Sequence, residues 1–173
     1  MAAAAVLGLL VTIADAGEKN PRSSRKTAGE LTWDEIQTVG KTPEQICKIV
    51  RRHIRYAADQ GDDWATGQET WEKKQGDCED FAACVVDLCK AAGLEATIQI
   101  FYPKGSWEGH AAVIGSWGGQ LWVSSNGWYE TVKSMDDAKA VIAKELAWRH
   151  KEILIASAEE VRSGTFALAG AAR

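Results

Sequence analysis

The sequence lacks the features that mark a zinc protein, a disulfide framework or a nucleic-acid-binding protein. Its four cysteines form no CxxC pair, and its three histidines lie at no zinc-ligand spacing. At 173 residues the chain can bury a core without disulfides. A net charge of −4 lacks the basic excess that nucleic acid attracts. These absences indicate one globular domain with no dedicated zinc site and no nucleic-acid partner.

The first thirty residues lack a basic segment that would make them a complete signal peptide. Ala2 to Ala14 form an apolar run of signal-peptide length, and Ala14-Asp15-Ala16 resembles a cleavage site. The run is too short to span a bilayer. Two interpretations stay open: a cleaved signal of a periplasmic or secreted protein, or an ordinary apolar segment. The second would suit a cytoplasmic protein or a component of a particle.

The remaining chain is expected to form one domain over residues 31–160, followed by a flexible tail over 161–173. Hydrophobic spacing and capping residues predict helices over 42–58, 78–92 and 134–148, and strands over 96–102, 110–114, 121–125 and 152–156. Residues 60–76 are rich in glycine, aspartate and tryptophan, and we expect them to be irregular. Helices first and an antiparallel sheet after them predict an α+β fold.

Cys78 is the candidate nucleophile because it stands at the start of a predicted helix. Its neighbours Asp77 and Glu79 should raise the pKa of the thiol, but the helix dipole and a nearby imidazolium would offset them. Cys84 and Cys89 lie among apolar residues and are expected to form the inert inner face of the same helix.

His110 is the candidate general base, and it begins a predicted strand after Gly109. A third polar group must orient the imidazole. Asn126 lies at the end of the paired strand, where a hairpin would bring it close to the histidine. A cysteine, a histidine and an asparagine in this order match the arrangement of papain-like enzymes.

Two motifs carry a family resemblance. The stretch Gly76-Asp77-Cys78-Glu79-Asp80-Phe81-Ala82, followed by Gly109-His110-Ala111, resembles the transglutaminase-like superfamily. It is most similar to the bacterial transglutaminase-like cysteine proteinases, as is Asp62-Asp63-Trp64-Ala65-Thr66-Gly67-Gln68-Glu69 before it. The resemblance implies a papain-like fold in which the nucleophile's helix packs on an antiparallel sheet.

The resemblance implies a cysteine peptidase or amidase that works through an acyl-enzyme, with Cys78, His110 and Asn126 as its triad. The family usually has aspartate at the third position, and both Asn126 and Ser125 can fill it here. The spacing from Trp122 favours Asn126. The alternatives are an acyltransferase that cross-links, or a non-catalytic binding or assembly module within a larger complex.

Further residues are candidates for supporting roles. The backbone N–H of Cys78 is the first oxyanion donor, and the second donor or substrate contacts are sought among Tyr56, Trp64, Gln68, Trp71 and Gln75. Some members of the family bind calcium near the cysteine, which makes Asp77 and Glu79 candidate ligands, or these acids cap the helix instead. No cofactor is otherwise required, and the expected partner is a protein or peptide substrate.

Overall fold

The computed structural model describes residues 30–58 and 63–166. The helices are α1 (Trp33–Ile36), α2 (Pro43–His53), α3 (Gly67–Lys73), α4 (Cys78–Ala91), α5 (Met135–Glu145) and α6 (Ala158–Arg162). The strands are β1 (Arg55–Tyr56), β2 (Gln75–Gly76), β3 (Ala96–Pro103), β4 (His110–Trp117), β5 (Gln120–Ser125), β6 (Trp128–Val132) and β7 (Ile153–Ser157).

Five strands form one antiparallel sheet in the order β6-β5-β4-β3-β7. The predicted α+β fold is therefore confirmed, and β6 is a strand that the sequence reasoning did not predict. Helices cover both faces, with α2 and α4 on one and α5 on the other. Since side chains alternate along a strand, neighbouring residues of β4 and β5 face different helices.

Helix α4 presents the candidate nucleophile, and its sequence explains why it begins and ends where it does. Asp77 is the N-cap, and Glu79 and Asp80 add the acidic first turn that suits the helix dipole. The buried face comprises Phe81, Ala82, Cys84, Val85, Leu88 and Cys89. Gly93, at φ +71°, follows the helix in the left-handed conformation that glycine adopts without strain. The predicted helix is confirmed.

The expectation that residues 60–76 are irregular is wrong over the stretch that forms α3. Thr66 and Glu69 make a reciprocal capping box, a spacing that predicts a helix start. Two carboxylates of α4 hold this segment in place. Asp80 Oδ1 accepts from Ala65 N at 3.0 Å, and Asp87 Oδ2 accepts from Gly67 N at 3.0 Å.

Helix α2 is shorter than predicted, because it ends at His53 instead of continuing to residue 58. Ile54 is already extended, at φ −96° and ψ 131°. The next two residues form β1, which pairs in parallel with β2 and places Tyr56 opposite Gly76. This pairing brings the chain after α2 beside the segment that leads into Cys78.

The segment at residues 1–29, with its two open interpretations, lies outside the described residues, as does the tail from 167 onward. The predicted domain limits thus stay predictions, and α6 continues to Arg162 beyond the expected limit at residue 160. Among the helices of the described ranges, none is long and apolar enough to cross a membrane.

Candidate active site

Cys78 is the first residue of α4, and its thiol is half-buried. Its backbone N–H belongs to the first turn, where amides have no acceptor within the helix. The thiol donates to Glu79 Oε2 at 3.0 Å and accepts a hydrogen bond from the backbone of Ala111. Burial, followed by the Glu79 hydrogen bond and the charges of Glu79 and Asp77, raises the pKa of Cys78 to about 12. The thiol is therefore protonated at neutral pH.

The other three cysteines are free and buried in the core. Burial raises the pKa of Cys47 to about 11 and that of Cys89 to about 12, and it raises the pKa of Cys84 as well. Each has a relative exposure of 0%. Cys78 is thus distinguished from them by access to reagents rather than by acidity.

His110 begins β4 and is buried, with a relative exposure of 6%. Burial lowers the pKa of its imidazole to about 4, so the ring is neutral at neutral pH. Its Nε2 lies 2.8 Å from Ser125 Oγ. The resting site combines a neutral thiol and a neutral imidazole instead of a preformed ion pair.

Ser125, and not Asn126, contacts the imidazole. Ser124 pairs with Val113 on the α2–α4 face, so the next residue, Ser125, turns to the α5 face that His110 shares with Ala112. Asn126 lies beyond the strand in a turn at φ +46°. Its Oδ1 is buried, with no hydrogen-bond partner among the described residues. The spacing from Trp122 pointed to Asn126, which is one residue past the position that the alternation of β5 places on the face of His110.

Glu145 is a further member of the site that the sequence reasoning missed. Ser125 Oγ donates to Glu145 Oε1 at 2.9 Å. Partial burial raises the pKa of this carboxyl, and its hydrogen bond from Ser125 acts in the opposite direction. Glu145 ends α5 and comes twenty residues after Ser125, so only the packing of α5 on the sheet brings it here.

The thiol and the imidazole approach the start of β4 from different sides. Cys78 belongs to α4, on one face of the sheet, and the His110 side chain shares the α5 face with Ser125. The thiol hydrogen bonds Glu79 and the Ala111 backbone rather than the ring. Of the two ring nitrogens, Nε2 is the one that bonds Ser125.

The candidate second oxyanion donors are dispersed. Trp71 is buried, and its indole N–H already donates to Leu31 O at 3.1 Å. Gln68 Nε2 donates to Glu72 on the exposed side of α3. The positions of the others are as follows: Tyr56 is 55% exposed beside Gly76, Trp64 lies under the guanidinium of Arg162, and Gln75 accepts from Arg55.

The candidate calcium ligands lie around the thiol. One ligand atom each from Asp77, Cys78 and Glu79 lies within 4.8 Å of the other two. Asp80 is less available, because its carboxylate accepts from the amides of Ala65 and Asp77. Carboxylate oxygens such as those of Asp77 and Glu79 are the ligands that calcium prefers, and they could supply only part of its usual shell of six to eight.

A cysteine at a helix start, beside a strand that begins with histidine, is the arrangement of thiol enzymes with a papain-like fold. The family model of the transglutaminase-like superfamily matches residues 25–142. The chain therefore belongs to this superfamily. Among curated proteins, none matches the sequence closely enough to count as a relative.

Several solved structures are similar to part of this chain, and one of them is described as a candidate cysteine protease. Legionella pneumophila LapG is 17% identical, with a TM-score of 0.46 over 56% of this chain and 59% of its own. A candidate cysteine protease from Cytophaga hutchinsonii is 16% identical, with a TM-score of 0.46 over 75% of this chain and 50% of its own. Calcium-bound LapG is 16% identical, with a TM-score of 0.47 over 68% of this chain and 64% of its own. The chain thus spans between half and two thirds of these proteins.

Proposed function

We propose that this protein is a thiol hydrolase that cleaves peptide or amide bonds. The observation that carries the proposal is the position of Cys78: it begins α4, and its sulfur reaches the backbone of Ala111, the residue after His110. A nucleophile and a base on adjoining elements, in a chain of this superfamily, support acyl transfer.

The reaction begins from the neutral pair. As Cys78 Sγ attacks the substrate carbonyl, the thiol proton passes to His110 Nδ1, and the backbone N–H of Cys78 donates to the developing oxyanion. The imidazolium then gives its proton to the leaving amine as the C–N bond breaks. Water, with His110 again as base, hydrolyses the thioester and restores the thiol. An amine in place of water would make the same site a cross-linking acyltransferase.

Because the resting thiol donates to Glu79, the attack requires its proton to move to the imidazole instead. Catalytic hydrogen bonds in unliganded enzymes are often long or misaligned and form only with substrate. The proposal therefore requires substrate binding to bring the thiol and the imidazole into contact, since the two approach the start of β4 from different faces.

A second candidate function is a non-catalytic binding or assembly module. The observation that favours it is the hydrogen bond from the Cys78 thiol to Glu79, together with the imidazole on the other face of the sheet. In such a module the cysteine and the histidine would be structural residues.

Calcium binding at Asp77 and Glu79 is part of the proposal. When bound, calcium would supply positive charge beside the thiol, which favours a thiolate. Titration calorimetry with calcium chloride should show binding to the wild type and a large loss of affinity in Asp77→Asn, but little change in the control Glu159→Gln. Absence of binding to the wild type would contradict this part.

Cleavage of a peptide library, read by mass spectrometry, tests the function. We expect cleavage by the wild type, none by Cys78→Ala or His110→Gln, and full cleavage by the control His150→Gln, which alters an exposed histidine. Parallel samples with EDTA report calcium dependence. Cleavage that survives in Cys78→Ala would refute the proposed nucleophile. A wild type that cleaves nothing would favour the binding module.

A further inference from the structure

Three side chains from three elements form a continuous hydrogen-bonded chain behind the imidazole. His110 Nε2 on β4 lies 2.8 Å from Ser125 Oγ on β5, which lies 2.9 Å from Glu145 Oε1 on α5. His110 and Ser125 are buried, at 6% and 3% relative exposure. In this superfamily's usual pattern an aspartate would follow the second of these strands, and here a serine connects the histidine to a carboxylate on a helix.

The single proton of the Ser125 hydroxyl determines which group donates and which accepts in each of these two hydrogen bonds. Ser125 donates it to Glu145, and an ionised carboxylate accepts only. The serine oxygen can then only accept from His110, so Nε2 carries the proton of the neutral ring. Nδ1 consequently carries no proton and keeps its lone pair. This is the tautomer that a base needs in order to accept the thiol proton.

The position of Glu145 is not explained by helix stability. It is the last residue of α5, where the helix dipole disfavours a negative charge. Within the part of the chain that the structure describes, it forms no salt bridge, and Glu130 adds further negative charge nearby. Glu145 as a residue is exposed, and the one side-chain contact that ties its carboxylate to the sheet, among the described residues, is the hydrogen bond from Ser125.

We propose that Glu145 is a positioning residue that acts on His110 through Ser125 and replaces the directly bonded carboxylate of the triad. This inference rests on the proposed function. Glu145 holds the ring in the Nε2–H tautomer and stabilises the imidazolium that forms when the thiol proton transfers. The serine relays both effects without giving up its own proton in the resting state.

The test combines imidazole nitrogen NMR with kinetics. In the wild type, we expect His110, assigned through His110→Gln, to show a protonated Nε2 and a bare Nδ1. Glu145→Gln keeps the size of the side chain, but its amide can donate to Ser125. The hydroxyl proton is then free for Nε2, and the Nδ1–H tautomer should appear. Glu130→Gln removes a nearby charge but leaves the hydrogen bonds among His110, Ser125 and Glu145 in place, so the nitrogen shifts of His110 should not change.

The kinetic part separates positioning from folding. On a cleaved peptide, Glu145→Gln should lower kcat on the order of tenfold to a hundredfold with little change in KM. Ser125→Ala should lower kcat as well, and adding Glu145→Gln to it should cost nothing further. Ser125→Asp with Glu145→Gln places a carboxylate directly on the ring and should recover most of the lost rate.

Nitrogen shifts in Glu145→Gln identical to those of the wild type, or additive losses in the double variant with Ser125→Ala, would overturn the proposal. The NMR result does not depend on catalysis. An inactive wild type with the expected tautomer change in Glu145→Gln would therefore refute the proposed function while leaving the hydrogen-bonded chain supported.

Discussion

The contact between the thiol of Cys78 and Glu79 leads to a quantitative prediction. The Sγ–Oε2 distance is 3.0 Å, and the carboxylate acts on the thiol as hydrogen-bond acceptor and as negative charge, both of which raise the pKa of Cys78. Glu79→Gln keeps the shape of the side chain and removes the charge. We therefore expect the substitution to lower the pKa of the thiol and to speed its alkylation at neutral pH.

The distance sets the size of the effect. Two unit charges 3.0 Å apart repel by about 1.4 kcal/mol in the dielectric of bulk water, which corresponds to about one pKa unit. Since Cys78 is half-buried, this value is a lower estimate. A tenfold gain in thiolate is partly offset by its lower nucleophilicity, and each pKa unit then gives a net rate increase of about threefold.

Alkylation with iodoacetamide, followed by peptide mass spectrometry, measures the rate at each cysteine separately. The buried Cys47, Cys84 and Cys89 serve as internal references that should react slowly in every variant. Glu159→Gln, a charge change at an exposed residue of α6, is the matched control and should leave the Cys78 rate unchanged.

An unchanged or slower rate at Cys78 in Glu79→Gln would refute the reasoning, because it would mean that Glu79 does not hold the thiol protonated. Faster alkylation of all four cysteines would instead indicate a loosened fold.

Three further predictions concern pH and packing. Because burial lowers the pKa of His110 to about 4, kcat/KM should fall in acid only near that pH, and an acid limb near 6.5 would contradict the neutral resting pair. The unfolded chain binds this proton at a higher pH than the folded one, so the contribution of His110 to stability should be constant above pH 6.5 and should decline as the pH falls from 6.5 toward 4. In urea unfolding, His110→Gln should lose less free energy of unfolding between pH 6.5 and 4 than the wild type, by up to about 3 kcal/mol. Equal losses in the two proteins would contradict the burial of the imidazole. Gly67→Ala would place its Cβ 3.0 Å from Cys84 Cα and 2.6 Å from Asp87 Oδ2, and should lower the free energy of unfolding by about 1–3 kcal/mol; no loss would show that α3 packs less closely on α4.

The elements that carry the candidate nucleophile and the candidate base could be predicted because their sequence signals are local. Asp77 caps α4, the apolar residues that follow recur at helical spacing, and Gly93 ends the helix. The strand that begins at His110 and the strand that pairs with it are separated by a glycine-rich turn. Each of these features is decided by residues a few positions apart.

The other contacts of the site depend on strand register and helix packing, which the spacing of residues along the sequence does not determine. Choosing between Ser125 and Asn126 requires the exact register of β5, since a shift of one residue reverses the face that a side chain occupies. Glu145 enters through the packing of α5 on that face, which links residues far apart in sequence. In α3, the capping box of Thr66 and Glu69 was present in the sequence, but the surrounding glycine and aspartate residues indicated a loop.

The central claim is that Cys78 is a nucleophile activated by His110, and covalent trapping tests it most directly. The protein is incubated with a peptide aldehyde or vinyl sulfone library, digested, and the modified residue is identified by mass spectrometry. We predict one adduct per chain, on Cys78, whose formation is suppressed in His110→Gln and retained in His150→Gln. An adduct distributed over the cysteines, or one that forms on Cys78 equally fast without His110, would contradict the account.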